Sequence, residues 1–232
     1  MMYTPVIFFD IGTTLITGPT LTPAQQIAKT LRLNDETQHQ LERQLLTSII
    51  ETPAALMALL IGTYAVAETT AADLAATIWK SQSEKIKIVP GGIEILSQLR
   101  AKKIRYGFIS NIWFPYATTF TRLYGALAET NLTFFSFRLG LRKPDLSFFQ
   151  KAITSAGLNP QRCVMLGDSY RNDIHPAIAL GMKTVWFLCR PEKERVSLEK
   201  IRQNALSAPH KIVPSLVGLD IAKIVVDLLR ET

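Results

Sequence analysis

Residues 162–173 read Arg-Cys-Val-Met-Leu-Gly-Asp-Ser-Tyr-Arg-Asn-Asp. The first half is a short apolar run that stops at Gly167, the composition of a buried strand. The second half is polar and carries two carboxylates, Asp168 and Asp173, five residues apart. Such a pair on a strand-end loop suits Mg2+, which takes oxygen ligands, keeps several waters and commonly uses one or two carboxylates. Read differently, the same residues are ordinary loop and helix-cap residues.

Runs of similar character recur at 5–11, 105–110, 133–137 and 183–188, separated by helical patterns, the rhythm of a parallel sheet covered by helices. In open sheets of this kind ligands bind at the C-terminal strand ends, so the polar segments after the strands at 5–11, 105–110, 133–137 and 162–167 should converge on one site. Residues 91–103 are expected to be helical, with Ile93, Leu96 and Leu99 at spacing three and a basic last turn. Residues 144–156 should form another helix, with Pro144 in its first turn, Phe148, Phe149, Ala152 and Ile153 on one side and Gly157 as its stop. Residues 17–88 differ: Ala, Leu, Gln and Thr dominate and no strand is evident. A right-handed crossover needs far fewer residues, so this segment reads as an inserted helical subdomain within a core made of 1–16 and 89–232.

Composition narrows the class. The chain has 232 residues, 47% hydrophobic and 19% charged, enough to bury a sizeable core and unlike a disordered or low-complexity sequence. Its 26 Lys and Arg against 19 Asp and Glu give +7, which admits an anionic partner. Residues 17–88 hold six basic and seven acidic residues, so the basic excess belongs to the core. The two cysteines, Cys163 and Cys189, lie in apolar runs without CxxC spacing, which argues against a disulfide scaffold or a zinc site and fits a reducing, cytoplasmic location. The N-terminus lacks the basic leader and cleavage site of a signal peptide. The apolar stretch 53–67 is 15 residues long and includes Gly62, too short for a membrane span and expected to be a buried helix.

Three further strand ends carry chemistry of low individual specificity. Phe8-Phe9-Asp10-Ile11-Gly12-Thr13-Thr14-Leu15 places a carboxylate at a strand tip, suited to a nucleophile, a hard-metal ligand or a plain turn cap. Ser110-Asn111 offers a hydroxyl and an amide to a phosphoryl oxygen, and is equally common in turns. Gly140-Leu141-Arg142-Lys143-Pro144-Asp145 sets Lys143 just ahead of a helix, an anion site or an exposed lysine.

In this order the four motifs resemble those of the haloacid dehalogenase-like hydrolase superfamily, and the likeness runs from Val6 to about Leu188. The resemblance implies a Rossmann-like parallel sheet with helices on both faces, and a small helical cap in the insertion. It implies that Asp10 is the nucleophile, forming a transient aspartyl-phosphate. It also implies Mg2+ held by the Asp10 carboxylate, the Gly12 backbone carbonyl and Asp168, with Asp173 holding a metal-bound water or orienting the loop. Ser110 and Asn111 would bind phosphoryl oxygens, and Lys143 would neutralise charge on the nucleophile and the transferring group. A carboxylate can approach an anionic phosphoryl group only where such cations offset the repulsion.

The chain departs from the pattern at one place. Phosphatases of the family have Asp two residues after the nucleophile, as general acid and base, and here that position is Gly12. The family's usual Gly in the turn is Thr13. Three readings follow. The first is a Mg2+-dependent phosphohydrolase of a small phosphorylated metabolite, impaired on alkyl phosphates. The second is a non-catalytic member, with activity lost, that binds a phosphorylated ligand or a protein. The third is a metal-independent 2-haloacid dehalogenase, against which Asp168 and Asp173 both count. No nucleic-acid motif or membrane segment is recognised, and the oligomeric state is left open.

The remaining features are less specific. Trp113, Phe114 and Tyr116 are read as wedging a helix onto the sheet, with contact to the cap or substrate as the alternative. His39, His175 and His210 show no ligand spacing. Residues 190–202 form a mixed-charge run expected to be a solvated helix face. Arg32, Arg43, Tyr64 and Lys80 are candidates to reach substrate from the insertion.

Overall fold

The computed structural model describes residues 5–230. Strand β1 (Val6–Phe9) is entirely buried, and its alternation divides the core. Ile7 and Phe9 point to one face of the sheet, where they meet Leu96, Leu99, Phe108, Val225 and Leu228. Val6 and Phe8 point to the other, against Ile109, Phe148, Phe149 and Met165. A strand apolar on both faces belongs at the centre of a parallel sheet.

Along the chain, β1 leads through β2 (Ile16–Thr17) to four helices, α1 (Pro23–Leu31), α2 (Asp35–Thr47), α3 (Pro53–Tyr64) and α4 (Glu68–Glu84), and returns through β3 (Lys87–Ile88). Then come α5 (Gly92–Ala101), β4 (Arg105–Ser110), α6 (Phe114–Tyr124), β5 (Thr133–Phe135), α7 (Ser136–Leu139) and α8 (Leu146–Ser155). The chain ends with β6 (Cys163–Gly167), α9 (His175–Ala179), β7 (Lys183–Phe187), α10 (Arg195–Arg202), β8 (Lys211–Val213) and α11 (Ile221–Arg230). Six strands form one parallel sheet in the order β5-β4-β1-β6-β7-β8, the expected α/β class. In register, Phe9 pairs with Phe108 on one side and Leu166 on the other. The ends of β1, β4 and β6 are therefore level, and the segments that follow them lie side by side.

The four helices between β2 and β3 have a core of their own, including Ile27, Leu41, Leu45, Leu56, Leu60, Leu74 and Ile78. Their starts are set locally. Thr22 forms a capping box with Gln25, Asn34 caps α2, and Thr52 caps α3 with Pro53 in the first turn.

Several expectations are corrected. The ends of the insertion pair antiparallel, Ile16 with Ile88 and Thr17 with Lys87. Strands of two residues carry no readable period, and they exist because both connections to the helices must cross at one place. Helix α3 forms as expected but buries only Leu56 and Leu60, four residues apart on one stripe, while Ile61 is at the surface. The third strand ends at Phe135, because the Ser136 hydroxyl exchanges hydrogen bonds of 3.0 Å with both backbone groups of Ile112 and the chain turns into α7. Helix α8 starts at Leu146 rather than at Pro144, which follows a cis Lys143–Pro144 bond in a turn closed by Asp145 N donating to Arg142 O at 3.0 Å. Strand β8 and helix α11 are additional to the predicted elements. Among the described residues, no helix is long and apolar enough to cross a membrane.

Candidate active site

Asp10 extends β1, its backbone N–H donating to Leu166 O at 2.9 Å, and the residue is 6% exposed. Oδ1 accepts from Ser110 Oγ at 3.0 Å and from Lys143 Nζ at 2.6 Å, while Oδ2 has Thr14 Oγ1 at 3.3 Å. Lys143 is 3% exposed and also donates to Asp173 Oδ1 at 2.5 Å. The other oxygen of Asp173 accepts from Ser169 N at 3.0 Å. Asp173 thus buttresses Lys143 from one side and the Asp168 loop from the other. Gly167 makes room for it, since a Cβ there would lie 2.4 Å from the Asp173 carboxyl carbon.

Asp10, Ser110, Lys143, Asp168 and Asp173 lie together, drawn from four separate segments of chain. Among the described residues, Asp10, Asp168 and Asp173 form the one group of metal-ligating type, each offering an oxygen within 4.8 Å of the others. An all-carboxylate donor set is the chemistry of a hard divalent cation such as Mg2+, so the residues present fit that ion. Asn111 is placed differently from a group aimed at a ligand. Its side-chain amide donates to Lys143 O at 2.9 Å and accepts from Lys143 N at 2.7 Å, which holds the lysine backbone.

The electrostatics follow from burial. Burial draws the Lys143 ammonium down, but the charges of Asp10 and Asp173 overcome this and hold it above the ordinary lysine range. Burial, then the charge of Asp10, pushes Asp168 up to about 6, against the opposing pull of Arg190. Burial raises Asp173 as well, with Lys143 opposing and Asp10 and Asp168 adding. The cluster resists full ionisation unless more positive charge arrives.

Gly12 is open. A Cβ added there would meet nothing within 4 Å beyond its own chain neighbours, so the backbone has room for a side chain at this position. Thr13 has φ 67°, a left-handed conformation that a β-branched residue adopts at a penalty and glycine adopts freely. Its N–H nevertheless donates to Ile16 O at 2.7 Å, closing the turn.

Arg190 is a residue at the carboxylate cluster that the sequence did not single out. It lies in the loop after β7, ahead of α10, and donates from Nη2 to Asp168 Oδ2. The solvated face begins only at Arg195; Arg190 looked like part of that run because nothing local marks a loop residue that turns back across the sheet. Trp113 also differs from expectation. It joins the core of the four inserted helices, 5.6 Å from the ring of Trp79, and donates from Nε1 to Gln82 Oε1 at 3.4 Å. The insertion packs its own indole against it, a partner sequence spacing does not reveal. Tyr116, whose phenol is raised by burial and then by Asp10 and Asp168, donates to Ile16 O at 3.4 Å.

His39 and His175 are exposed, and His210 meets Thr184 through Nδ1 at 3.0 Å, so none joins the carboxylates. Arg32, Arg43 and Lys80 are exposed, Lys80 facing Glu84 at 3.9 Å, and Tyr64 is half-buried in the insertion's core. Both cysteines are free thiols.

Comparison with known proteins extends this geometry. Haloacid dehalogenase-like hydrolase domain-containing protein 3 of Xenopus laevis is 29% identical over 139 residues, 57% of this chain and 53% of that protein. Glyceraldehyde 3-phosphate phosphatase of Pyrococcus furiosus is 42% identical over 48 residues, 21% of this chain and 20% of that protein. The chain thus spans about half the length, or less, of these curated relatives. A HAD family hydrolase from Deinococcus radiodurans R1, solved with phosphate and sodium, superposes with a TM-score of 0.61 at 19% identity, covering 97% of both chains. A HAD family enzyme from Bacteroides thetaiotaomicron, complexed with magnesium and inorganic phosphate, gives 0.55 at 19% identity over 78% of this chain and 93% of that one. At such identities these two structures share the fold alone. The haloacid dehalogenase-like hydrolase family model matches residues 7–187, from β1 through β7 and every motif between them, and the chain belongs to that family.

Proposed function

We propose that the protein is a Mg2+-dependent phosphohydrolase that uses Asp10 as nucleophile on a small phosphorylated metabolite. The observation that carries this reading is the Asp10 carboxylate itself: one oxygen is held by Ser110 and Lys143, the other has only Thr14 at 3.3 Å, and two more carboxylates stand within metal-sharing distance. The name of the Pyrococcus phosphatase and the phosphate and magnesium in the structural relatives point the same way.

In this reading Asp10 Oδ2 attacks phosphorus, a new P–O bond forms, and the bond to the leaving oxygen breaks. Water then cleaves the aspartyl-phosphate, returning the carboxylate and releasing phosphate. Lys143 holds the unreacting oxygen of Asp10 and offsets charge on the transferred group. Ser110 orients the nucleophile, Asn111 keeps Lys143 in place, and Asp173 anchors Lys143 together with the loop. Asp10, Asp168 and the Gly12 carbonyl are the proposed ligands of Mg2+, with Asp173 beside them. The ion would supply positive charge for the phosphoryl oxygens.

Residues 17–88 act as the cap over a core of 1–16 and 89–232, closing the site to water. With glycine at position 12, the chain carries no carboxylate where phosphatases of the family place their general acid, and the leaving group departs without that proton. Acyl or aryl phosphates are therefore favoured over alkyl phosphates, whose alkoxides leave poorly.

Phosphate release by the purified protein with MgCl2 tests this. Acetyl phosphate and p-nitrophenyl phosphate should be hydrolysed, glucose 6-phosphate much more slowly, and Asp10→Asn should be inactive on all. Absence of release from every phosphate would favour the non-catalytic ligand-binding reading. Chloride release from 2-chloropropionate without metal would favour the dehalogenase.

A further inference from the structure

Arg190 belongs to none of the four motifs, yet it touches a carboxylate of the proposed metal site. Its backbone is pinned: Leu188 N donates to Val213 O at 2.9 Å, and Lys193 N donates to Arg190 O at 3.0 Å. The guanidinium lies across the sheet edge onto Asp168, with the side chain 39% exposed. Its Nε is buried without a hydrogen-bond partner.

The Asp168 loop has other supports. Trp186 Nε1 donates to the Asp168 carbonyl at 3.0 Å, Glu194 Oε1 accepts from Tyr170 N at 3.3 Å, and Tyr170 Oη donates to Ser207 O at 2.6 Å. Arg190 is therefore not required to position that backbone.

We propose that Arg190 is a displaceable counter-cation: it neutralises Asp168 in the metal-free protein, must yield when a divalent cation binds, and so sets the metal affinity. This inference rests on the Mg2+ reading of the site. Three carboxylates face one another here, and two cationic side chains compensate them, Lys143 on Asp10 and Asp173 and Arg190 on Asp168. Lys143 is enclosed, with 2% of its side chain exposed, and has no other place to go. Arg190 is partly solvated on a long side chain, and its contact leaves one donor unsatisfied, so the contact is the weaker of the two compensations. A divalent ion on Asp168 is repelled by a guanidinium on the same carboxylate. A residue that merely oriented Asp168 would have the opposite effect on metal binding.

Isothermal titration of MgCl2 into the metal-free protein separates these outcomes. Arg190→Gln should bind Mg2+ roughly tenfold more tightly than wild type, the scale on which residues behind a metal ligand act, with Arg190→Lys in between. Equal or weaker binding by Arg190→Gln, with wild type still binding, would overturn the proposal and leave the metal site standing. Failure of both proteins to bind would overturn the metal reading along with it. Wild type alone provides a second measurement. Mg2+ should accelerate modification of Arg190 by phenylglyoxal, followed by mass spectrometry, and an unchanged rate would overturn displacement.

Discussion

Placing a carboxylate beside the proposed nucleophile, by Gly12→Asp, asks whether lack of an acid at that position limits the proposed reaction. Sterically the change is tolerated, since the new Cβ meets nothing within 4 Å and Gly12 is not among the residues with left-handed φ. Losing glycine also restricts the unfolded chain, which favours the variant by about 0.4–1 kcal/mol. Opposing this, the added carboxylate joins Asp10, Asp168 and Asp173, compensated by Lys143 and Arg190. Repulsion from that group should raise the pKa of the new carboxyl, leaving part of it protonated near neutrality, the state a general acid needs. A positioned acid contributes about 10²–10⁴-fold where the leaving group needs a proton and far less where it does not. The assay is kcat/KM with MgCl2 for glucose 6-phosphate and for p-nitrophenyl phosphate, in wild type and variant. The ratio between the substrates should shift toward the sugar phosphate by at least the lower end of that range. A ratio unchanged within about threefold, in a folded variant whose Asp10→Asn derivative is inactive, would refute the reasoning.

Three other outcomes follow from the same geometry. Lys143→Met leaves Asp10 and Asp173 buried without their shared cation and should destabilise the protein by about 3–5 kcal/mol at pH 8 in denaturant titrations, with less loss at pH 5 as Asp173, raised by burial, protonates. Thr13→Gly relieves the left-handed φ of 67° and should raise Tm by about 2–4 °C, corresponding to roughly 1 kcal/mol in a chain of this size. For the metal-free protein the pH dependence has a definite sign. Asp168 titrates at about 6 instead of 3.8, so its folded state binds the proton more tightly; that stability is complete below pH 3.8 and is lost as pH rises through 6. Tm of the metal-free protein should therefore fall between pH 5 and pH 8, by an amount equivalent to roughly 1–1.5 kcal/mol from this group, and MgCl2 should restore it.

How much of this was legible in the sequence depended on whether the signal was local. The four strands whose ends form the site were readable because a buried parallel strand is a short apolar run and each ran into polar residues, as at Phe9-Asp10 and Gly167-Asp168. The helices at Gly92–Ala101 and Leu146–Ser155 were readable from apolar spacing, although Pro144 misled as to where the second begins. Strand β8 has three residues with two exposed, too little pattern to stand out.

The motif order alone pointed to the family and grouped Asp10, Ser110, Lys143, Asp168 and Asp173, because their segments follow strands whose ends parallel register makes level, with the short helix α7 between the third strand and Lys143. Only the tertiary structure decided that Asn111 grips the Lys143 backbone, that Trp113 enters the insertion's core, and that Arg190 reaches back to Asp168. Those contacts join segments 32, 31 and 22 residues apart through side-chain reach, for which the sequence has no period. The openness beside Gly12 is likewise three-dimensional: the sequence shows a glycine there, and only packing determines that a Cβ at that position would meet nothing within 4 Å.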